Sequence, residues 1–304
     1  MHVLVQILSV ILKVLYYICE SVYRLFVSAE KKNVAGEIVL VTGAGRGIGR
    51  ELAIGYASLG ATVVCWDIDK EANEQTMNII TKTGGSAYAY QCDVSDRKDV
   101  FKVAEIVKKE VGDITILINN AGIGEFSTFL DHVPDNIVRI VDINFMAHYW
   151  TLKAFLPKMV EKNHGHIVAL SSVFGLFGNN EVSTYSSTKF AIRGLMESLR
   201  LELYTHSNGN SLIKFTTIYP SLIVTRMTTA LIERIKYNKL WQWKQLSPKD
   251  AALAIIDAQR QNIVEKSIPS LWLPIVTILR ILPDKAFFCL HELIFSVPMC
   301  KTSM

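Results

Sequence analysis

From residue 36 to about residue 265, short apolar runs alternate with stretches of helical periodicity. Near-continuous apolar runs separated by helices are typical of a parallel sheet that is covered on both faces. A late helix is predicted from Ser247, a capping residue followed by proline, and an earlier one is predicted to be opened by Ser95. The pattern therefore predicts the α/β class, with a doubly wound parallel sheet (Rossmann-type) in a single domain. The predicted strands are 37–42, 61–66, 86–90, 114–118, 166–170 and 213–219.

Charge and cysteine content exclude several classes of protein. The net charge of the 304-residue chain is only +4 and no block of five basic residues occurs, so we expect no nucleic-acid partner. The five cysteines are scattered without a C-x-x-C pair, which favours reduced thiols in a cytosol-facing protein. His148, His164 and His166 have no acidic or thiol partner at a suitable spacing, so we also predict no metal site.

Residues 1–27 form an apolar segment with one polar stripe. Lys13 interrupts the segment, so no uncharged run reaches the roughly 18 residues of a spanning helix, and we favour a membrane-anchoring helix that lies in the interface. A tilted spanning helix and a cleaved signal peptide ending at "VSA" (27–29) are the alternatives. Arg24, Lys31 and Lys32 would keep the following domain in the cytosol. The stripe consists of His2, Gln6, Ser9, Lys13, Glu20 and Arg24.

A glycine-rich turn, "TGAGRGIG" at 42–49, joins the first strand to its helix. Gly43 permits the tight turn, Gly47 lets the backbone approach a pyrophosphate, and Gly49 permits close helix packing. Asp67 ends the second strand, where an acid would bind the adenosine ribose hydroxyls. Because this carboxylate would repel a 2′-phosphate, the sequence favours NAD over NADP. Arg46 could contact such a phosphate, so NADP remains the alternative.

Tyr185 and Lys189 are four residues apart and project side by side if the segment is helical. Such a pair alone is more often a surface tyrosine beside a solvated lysine. The surrounding signatures change that interpretation, because the chain resembles the short-chain dehydrogenase/reductase family over about residues 36–265. The signatures are Gly43-x3-Gly47-x-Gly49, "NNAG" at 119–122, Asn144, Ser172 and Tyr185-x3-Lys189.

Longer stretches resemble one membrane-associated subgroup of that family, which includes the epidermal retinol dehydrogenases and types eleven and thirteen of the 17β-hydroxysteroid dehydrogenases. These stretches are "KKNVAGEIVLVTGAG", "CDVS", "KKEVGDITILINNAG" and "NHGHIV". The subgroup belongs to the endoplasmic reticulum and lipid droplets and is anchored through an N-terminal apolar segment. The resemblance therefore implies an endoplasmic reticulum membrane or lipid-droplet location, with the catalytic domain facing the cytosol.

The resemblance also implies a cofactor site. Asp67 would hold the ribose, Asp93 with Val94 would contact the adenine, and Thr225 would contact the nicotinamide carboxamide. One departure is visible, because Ser221 follows Pro220 where family members often carry glycine. The implied cofactor-binding residues are Gly43, Arg46, Gly47, Ile48, Gly49, Asp67, Asp93, Val94, Asn120, Ala121, Gly122, Tyr185, Lys189, Pro220 and Thr225.

Hydride transfer from an alcohol requires a base for the hydroxyl proton. A free tyrosine has a pKa of about 10, so Tyr185 needs the ammonium of Lys189 to stabilise its phenolate. Ser172 would hydrogen-bond the substrate oxygen, while the adjacent Ser171 is interpreted as structural. By resemblance Asn144 would hold a water connected to Lys189; alternatively, it satisfies a kink in its helix. The predicted catalytic residues are Ser172, Tyr185, Lys189 and Asn144.

After Ser267 the chain becomes lipophilic again, which favours a lid or a second membrane contact over a helix packed on a dimer partner. Phe174, Phe177, Trp241 and Trp243 could line an apolar cleft, or serve core or membrane contacts instead. We divide the chain into an anchor (1–27), a basic linker (28–36), the dehydrogenase domain (37–267) and an apolar C-terminal segment (268–304).

The sequence thus predicts a membrane-associated oxidoreductase of lipid metabolism that uses NAD and acts on a retinol-like or steroid-like alcohol or ketone. The alternatives are an NADP-dependent reductase of a lipid carbonyl and a droplet-surface scaffold without catalysis. A homodimer through helices at about 134–162 and 183–204 is an expectation from the family.

Overall fold

Seven parallel strands form one sheet in the order β3-β2-β1-β4-β5-β6-β7. The computed structural model describes residues 2–27, 29–229, 232 and 245–295. The doubly wound parallel sheet expected from the sequence is confirmed. The strands are β1 Ile38–Thr42, β2 Thr62–Asp67, β3 Ser86–Gln91, β4 Ile116–Asn119, β5 His166–Leu170, β6 Lys214–Pro220 and β7 Glu265–Ile268.

Helices cover both faces of this sheet and extend beyond it at both ends of the chain. A π-helical turn, Asp142–Met146, joins α5 to α6. The described helices are α1 His2–Phe26, α2 Gly47–Ser58, α3 Lys70–Lys82, α4 Arg97–Glu110, α5 Pro134–Val141, α6 Ala147–Lys162, α7 Ser183–His206, α8 Pro248–Arg260, α9 Trp272–Leu279 and α10 Asp284–Phe295.

The alternation of side chains along β1 divides the core into two layers. Val39 and Val41 pack with residues of α2 and α8, whereas Leu40 packs on the opposite face with residues of α4, α6 and α7. Successive side chains of a strand point to opposite faces, so a fully apolar strand such as β1 serves both layers at once. The continuous apolar runs in the sequence reflect this two-sided burial.

Two details differ from the sequence prediction. Strand β7 was not predicted, because Glu265 and Lys266 interrupt any apolar run and the strand lies at the sheet edge, where it pairs only with β6. Helix α4 begins at Arg97 and is capped by Asp96 rather than opened by Ser95, since the Asp96 carboxylate accepts a hydrogen bond from the Lys98 amide. The predicted cap at Ser247 is confirmed, with the Asp250 amide donating to its hydroxyl.

The carboxyl ends of the strands meet at one edge of the sheet, and the chain order reverses between β1 and β4. In open α/β sheets such a switch point creates the crevice in which ligands bind. The glycine turn after β1, "NNAG" at the end of β4, Ser172 after β5 and Pro220 at the end of β6 all lie at this edge. The fold therefore gathers the predicted site residues at one place.

The basic linker before β1 is docked on the opposite edge of the sheet. Lys32 exchanges two hydrogen bonds with Arg260, one between the two backbones and one from the Arg260 side chain to the Lys32 carbonyl. Its ammonium also donates to Nδ1 of His166 over 3.0 Å, and Val34 is fully buried. Lys31 forms an ion pair with Asp257 of α8. Lys31 and Lys32, two of the three cations expected to keep the domain in the cytosol, therefore bond to residues of the domain itself.

Helix α1 presents its apolar side chains to solvent along its length, from Val3 to Tyr23. The 21 residues Val3–Tyr23 are long and apolar enough to cross a membrane, in spite of Lys13. Length and composition alone do not distinguish a spanning helix from an interfacial one. Parts of the predictions lie outside the described part of the chain, namely Ser28 of the "VSA" stretch, Trp241, Trp243 and residues 296–304 of the C-terminal segment.

Candidate active site

The turn between β1 and α2 has a backbone that few residues other than glycine can adopt. Gly43 and Gly47 have φ angles of +67° and +57°, in the left-handed region. A Cβ atom at Gly49 would overlap the carbonyl oxygen of Gly43, so this position also requires glycine. The turn folds back on itself in this way because three of its positions lack side chains.

Asp67 at the end of β2 is fixed beside this turn. Its Oδ2 accepts a hydrogen bond from the Gly45 amide over 2.8 Å, and its Oδ1 accepts one from the Asp69 amide over 2.9 Å. Arg46 forms an ion pair with Asp69 at 2.5 Å, and both side chains are largely exposed. Arg46 is therefore already paired with Asp69. The carboxylate of Asp67 still has lone pairs that can accept hydrogen bonds from a ligand.

Thr42 connects the glycine turn to the "NNAG" segment. Its hydroxyl oxygen accepts hydrogen bonds from the amides of Asn120 and Ala121, each over 3.0 Å. The Asn120 side chain donates to the Thr42 carbonyl over 2.8 Å. The sequence analysis did not single out Thr42, although a hydroxyl at the last position of β1, immediately before the turn, was the available signal.

Ser172, Tyr185 and Lys189 come together although they belong to different elements. Ser172 follows β5, and Tyr185 and Lys189 lie one turn apart on α7, where the Lys189 ammonium is 5.6 Å from the centre of the Tyr185 ring. Lys189 Nζ also donates to the Leu170 carbonyl over 2.9 Å. The hydroxyl of Ser171 is used inside the protein, because it donates to the Lys189 carbonyl over 2.8 Å. This bond supports the structural interpretation of Ser171.

Burial opposes both charged forms of the pair on α7. It raises the pKa of Tyr185 to about 12, and the hydrogen bond with Ser172 acts in the opposite direction. Burial also lowers the pKa of Lys189 to about 8. The sequence analysis expected the ammonium to favour the phenolate, but in the protein alone desolvation is the largest influence on both groups. The neutral tyrosine is thus the favoured resting form.

Asn144 lies in the π-helical turn and bonds across three elements. Its amide nitrogen donates to the Ile123 carbonyl over 2.9 Å and to Thr188 Oγ1 over 3.3 Å, while its Oδ1 accepts from the Ile123 amide over 2.8 Å. The kink considered in the sequence analysis is present. The side chain nevertheless bonds the segment after "NNAG" and helix α7 rather than its own helix, and so ties the cofactor side of the site to the catalytic helix.

The remaining cofactor candidates lie around the same crevice. Thr225 approaches the glycine turn, since its methyl group is 3.5 Å from the place a Cβ of Gly47 would take. The Asp93 carboxylate accepts hydrogen bonds from the backbone and hydroxyl of Ser95, and Val94 is buried beside it. Ser221, which replaces the glycine expected after Pro220, donates its amide to the Ile268 carbonyl.

These residues fit a dinucleotide. A side chain on any of several glycines would fill the cradle between β1 and α2, and α2 begins at Gly47 with its first amides directed towards that cradle. In the described part of the chain, the capping residue Arg46 makes no side-chain bond to those amides. Helix amino termini with free amides bind phosphate, and Asp67 provides the acceptor for ribose hydroxyls.

An apolar wall adjoins the catalytic residues. The ring of Phe126 is centred 6.2 Å from that of Tyr185, and Phe174 contacts Phe177. Phe177 stacks on Trp272 of α9, so the C-terminal apolar segment packs on the turn that follows Ser172. Phe177 is therefore a core residue, and the half-buried Phe174 packs against the same cluster. The half-buried Phe126 is the aromatic residue that adjoins the catalytic tyrosine.

The three histidines considered as metal ligands lie in separate environments. His164 pairs with Glu37 at the surface, and His166 bonds Lys32 at the amino edge. His148 is fully buried, and burial followed by the charge of Lys189 lowers its pKa to about 3. Sequence reasoning missed its proximity to the catalytic lysine. The signal was its position four residues after Asn144, on the same side of the helix.

Comparison with known proteins decides the family. The family model for short chain dehydrogenase matches residues 37–236. The chain belongs to the short-chain dehydrogenase/reductase family. It is 50% identical over 217 residues to "Short-chain dehydrogenase/reductase family 16C member 6" from Bos taurus, covering 71% of this chain and 68% of that one. It is 43% identical to mouse "Epidermal retinol dehydrogenase 2" over 90% of this chain and 87% of the relative.

A third relative is more distant but covers more of the sequence. Human "17-beta-hydroxysteroid dehydrogenase 13" is 34% identical over 96% of this chain and 95% of its own length. A short-chain dehydrogenase/reductase from Burkholderia phymatum, solved in complex with NAD, superposes with a TM-score of 0.73 over 82% of this chain and 94% of that one. At 23% identity this likeness concerns the fold.

A metagenomic short-chain oxidoreductase in complex with NADP superposes with a TM-score of 0.63 at 27% identity, over 78% of this chain and 96% of that one. The family membership identifies this short-chain dehydrogenase/reductase as an oxidoreductase that acts on CH–OH groups with a nicotinamide dinucleotide. Both nucleotides occur among its structural neighbours, so the choice between NAD and NADP depends on the residues of this chain.

Proposed function

We propose that this short-chain dehydrogenase/reductase interconverts a lipophilic alcohol, retinol-like or steroid-like, and its carbonyl form at a membrane surface, with NAD as the cofactor. One observation carries the proposal. Ser172, Tyr185 and Lys189 meet at the carboxyl ends of the strands, beside a glycine cradle and an apolar wall. None of these features alone would support the proposed activity, because each also occurs in proteins without this chemistry.

The residues divide the chemistry among them. The glycine turn and Asp67 would hold NAD, which would supply the hydride acceptor for the alcohol carbon. Tyr185 takes the hydroxyl proton, Ser172 hydrogen-bonds the reacting oxygen and holds it in register, and the ammonium of Lys189 stabilises the phenolate. In the reverse direction neutral Tyr185 gives its proton to the carbonyl oxygen, and burial favours this form because it raises the pKa of Tyr185 to about 12.

The surroundings of Asp67 support NAD over NADP. A 2′-phosphate would meet the Asp67 carboxylate, which two backbone amides hold in place. Arg46, the group that could offset this repulsion, is already paired with Asp69. Two carboxylates and one matched cation at this edge therefore disfavour an additional phosphate.

The apolar wall and the relatives support a lipophilic substrate. Phe126 offers aromatic surface next to Tyr185, and Phe174, two residues after Ser172, belongs to the neighbouring apolar cluster. Two of the three relatives named above are a retinol dehydrogenase and a 17-beta-hydroxysteroid dehydrogenase. Retinol and steroids both present a hydroxyl on a rigid apolar body, which suits a site with few polar groups beyond the reacting oxygen.

Helix α1 supports the membrane part of the proposal. Its exposed apolar side chains need a nonaqueous partner, and Val3–Tyr23 satisfies the length for a membrane segment. The C-terminal helices add exposed Ile278, Ile281 and Phe288 to the same chain. We assign the protein to the endoplasmic reticulum membrane or the lipid-droplet surface, with residues 37–267 as the catalytic domain in the cytosol and residues 268–304 as a lid or second membrane contact.

A homodimer completes the proposal. Exposed Leu201 and Tyr204 on α7, with Val160 on α6, offer apolar surface on the two helices that the family resemblance implies for the contact. Light scattering of the full chain in detergent would give the mass of the protein component. A monomeric mass would contradict the proposed homodimer.

The test is NADH formation by the purified full chain in detergent, with retinol, steroid alcohols and long-chain alcohols, each with NAD and with NADP. We expect turnover with NAD for at least one retinoid or steroid and a lower kcat/KM with NADP. Higher kcat/KM with NADP and activity mainly on lipid carbonyls would replace the proposal by the NADP-dependent reductase. Cofactor binding without turnover of any compound in either direction would favour a scaffold.

A further inference from the structure

The described part of the chain contains a group of buried polar atoms without protein partners next to the active site. Both ring nitrogens of His148 and the side-chain nitrogen of Asn119 are buried and have no hydrogen-bond partner among the described residues. Buried polar atoms are nearly always hydrogen-bonded, to protein or to ordered water. Three such atoms on two neighbouring side chains therefore point to a function at this place.

Thr151 links the two residues. Its hydroxyl is 2.8 Å from Asn119 Oδ1 and 3.1 Å from the His148 carbonyl, so the last residue of β4 and the first turn of α6 are held together. Asn119 is the first residue of "NNAG" and immediately precedes Asn120 and Ala121, whose amides bond Thr42 beside the glycine turn. His148 follows Asn144 by one helical turn, and Asn144 itself reaches Thr188, the neighbour of Lys189.

The catalytic lysine faces this group from α7. Its charge acts on the His148 ring, as the second cause, after burial, of the lowered pKa of His148. Asn119 at the end of β4 and Asn144 in the π-helical turn carry no charge, and Lys189 is the charged group that acts on the ring. A neutral imidazole presents one N–H donor and one acceptor nitrogen, whereas a protonated ring here would repel the ammonium.

The ammonium of Lys189 can use such an acceptor. An ammonium has three donors, and the described residues provide one oxygen for it, the Leu170 carbonyl at 2.9 Å. A water can accept from Lys189 and from the Asn119 amide and donate to the unprotonated nitrogen of His148. All three of these bonds then have matching donors and acceptors.

We propose that His148 is a positioning residue of the active site, whose neutral ring, with Asn119, holds an ordered water against Lys189 and keeps the ammonium charged while Tyr185 exchanges its proton. The inference rests on the proposed function, since only a proton-transferring Tyr185 needs a charged neighbour. It goes beyond the Ser172, Tyr185, Lys189 and Asn144 set by adding a residue that contacts neither substrate nor cofactor.

The first test measures Lys189 in the protein without cofactor. The full chain is labelled with ¹³C at lysine Cε, the Lys189 signal is identified by its loss in Lys189→Met, and its pKa is determined by titration in detergent. His148→Phe keeps the ring volume and removes both nitrogens, and we expect it to lower the pKa of Lys189 by about one unit, as for loss of a hydrogen bond to a charged group. His148→Gln retains an acceptor and should restore the wild-type value.

The second test is the pH dependence of kcat/KM for alcohol oxidation. We expect the acidic limb of His148→Phe to move to higher pH by about one unit, with unchanged KM for NAD, because a less charged Lys189 favours the phenolate less. His148→Gln should return the acidic limb to its position in the wild type. His164→Leu, which removes a surface histidine, is the matched control and should leave the limb in place.

A Lys189 titration and an acidic limb that are the same in His148→Phe and wild type would overturn the inference, even if the variant were less stable or uniformly slower. If the phenylalanine prevents folding, His148→Leu is measured under the same criterion. Absence of turnover in the wild type would instead contradict the proposed function, and the titration without cofactor would still decide whether His148 acts on Lys189.

Discussion

Two buried histidines of this protein each lie next to a lysine, at opposite edges of the sheet. At the amino edge, His166 accepts a hydrogen bond from Lys32 at Nδ1 over 3.0 Å and bonds Thr216 through Nε2 over 2.8 Å. Near the carboxyl edge, His148 faces Lys189 with neither ring nitrogen bonded by the described residues. Burial first, and a nearby lysine second, lowers the pKa of both rings.

The different bonding of the two histidines indicates what each edge of the sheet contributes to the protein. The amino edge is complete when the chain has folded, because a lysine is a donor and therefore fixes the tautomer of His166, whose Nε2 then donates to Thr216. At the carboxyl edge, burial opposes the charged forms of Tyr185 and Lys189, and the ring nitrogens of His148 have no partner among the described residues. Groups of this kind collect where ligands complete the hydrogen bonding.

Gly49→Ala should have the largest effect at the carboxyl edge. The new Cβ would overlap the Gly43 carbonyl oxygen and displace the turn that forms the cofactor cradle. We expect kcat/KM for NAD to fall by about 100-fold or more, since a displacement of about 1 Å at a catalytic site can have that effect. Gly194→Ala is the control, because nothing lies within 4 Å of its Cβ. Equal NAD kinetics in the two variants would contradict the assignment of the cradle.

His166→Leu should act on stability rather than on chemistry. It leaves the Lys32 ammonium, the Gln259 amide and the Thr216 hydroxyl without their common partner. We expect the free energy of unfolding to fall by about 2–4 kcal/mol, as for the loss of buried hydrogen-bond partners, with kcat of the folded fraction unchanged. Urea unfolding in detergent measures the first quantity.

The matched control for His166→Leu is His164→Leu, two residues earlier. His164 forms an exposed pair with Glu37, so its loss should cost less than about 1 kcal/mol. Equal losses in the two variants would mean that the Lys32–His166 contact does not hold the linker to the domain.

The pH dependence of stability sharpens the comparison further. The folded-state pKa values of His148 and His166 lie below the ordinary value, so the unfolded chain binds more protons than the folded one below about pH 6.5. The stability from the two neutral rings is complete above that pH. It is lost as the pH falls towards the folded-state values, by about 1.4 kcal/mol per pH unit and histidine.

Urea unfolding at about pH 7, 6 and 5 measures how steeply the free energy of unfolding changes with pH. His166→Gln should reduce this slope by the contribution of one histidine. An unchanged slope in this variant would show that His166 is protonated in the folded protein, against the contact with Lys32.

Arg46→Ala should have the smallest effect. The Arg46–Asp69 pair is exposed, and such pairs contribute about 0–1 kcal/mol. We therefore expect KM for NAD and for NADP to change by less than about fivefold each, measured by initial rates. A selective loss of NADP use would show that Arg46 leaves Asp69 to bind a 2′-phosphate, and the preference for NAD would then need revision.

Local patterns carried most of the fold and much of the candidate site. Most strands were predictable because their apolar runs are buried on both faces, whereas β3, a half-exposed edge strand, was predictable from a short β-rich run. Ser247 with Pro248 is a cap that depends on neighbouring residues only. The glycines and the Tyr185–Lys189 pair were predictable because their spacing is local. β7 was not, because the edge position of Glu265–Ile268 depends on its partner strand.

Contacts between residues distant in sequence were beyond these patterns. Lys32 and His166 are 134 residues apart, and nothing in the basic linker indicates that its second lysine bonds a buried imidazole. The state of His148 likewise depends on burial by three elements and on a lysine of another helix. The effect of burial, which raises the pKa of Tyr185 in the protein alone, was not predictable for the same reason, since desolvation depends on the complete fold.

The central claim is that Tyr185 exchanges the substrate proton, and one measurement tests it most directly. The kcat for retinol or steroid oxidation with NAD is compared between Tyr185→Phe and Tyr88→Phe, which removes the hydroxyl of a partly exposed tyrosine on β3. We predict a loss of about 10²–10⁴-fold in Tyr185→Phe, with NAD affinity retained, and wild-type activity in Tyr88→Phe. A Tyr185→Phe enzyme that keeps the kcat of Tyr88→Phe would contradict the account.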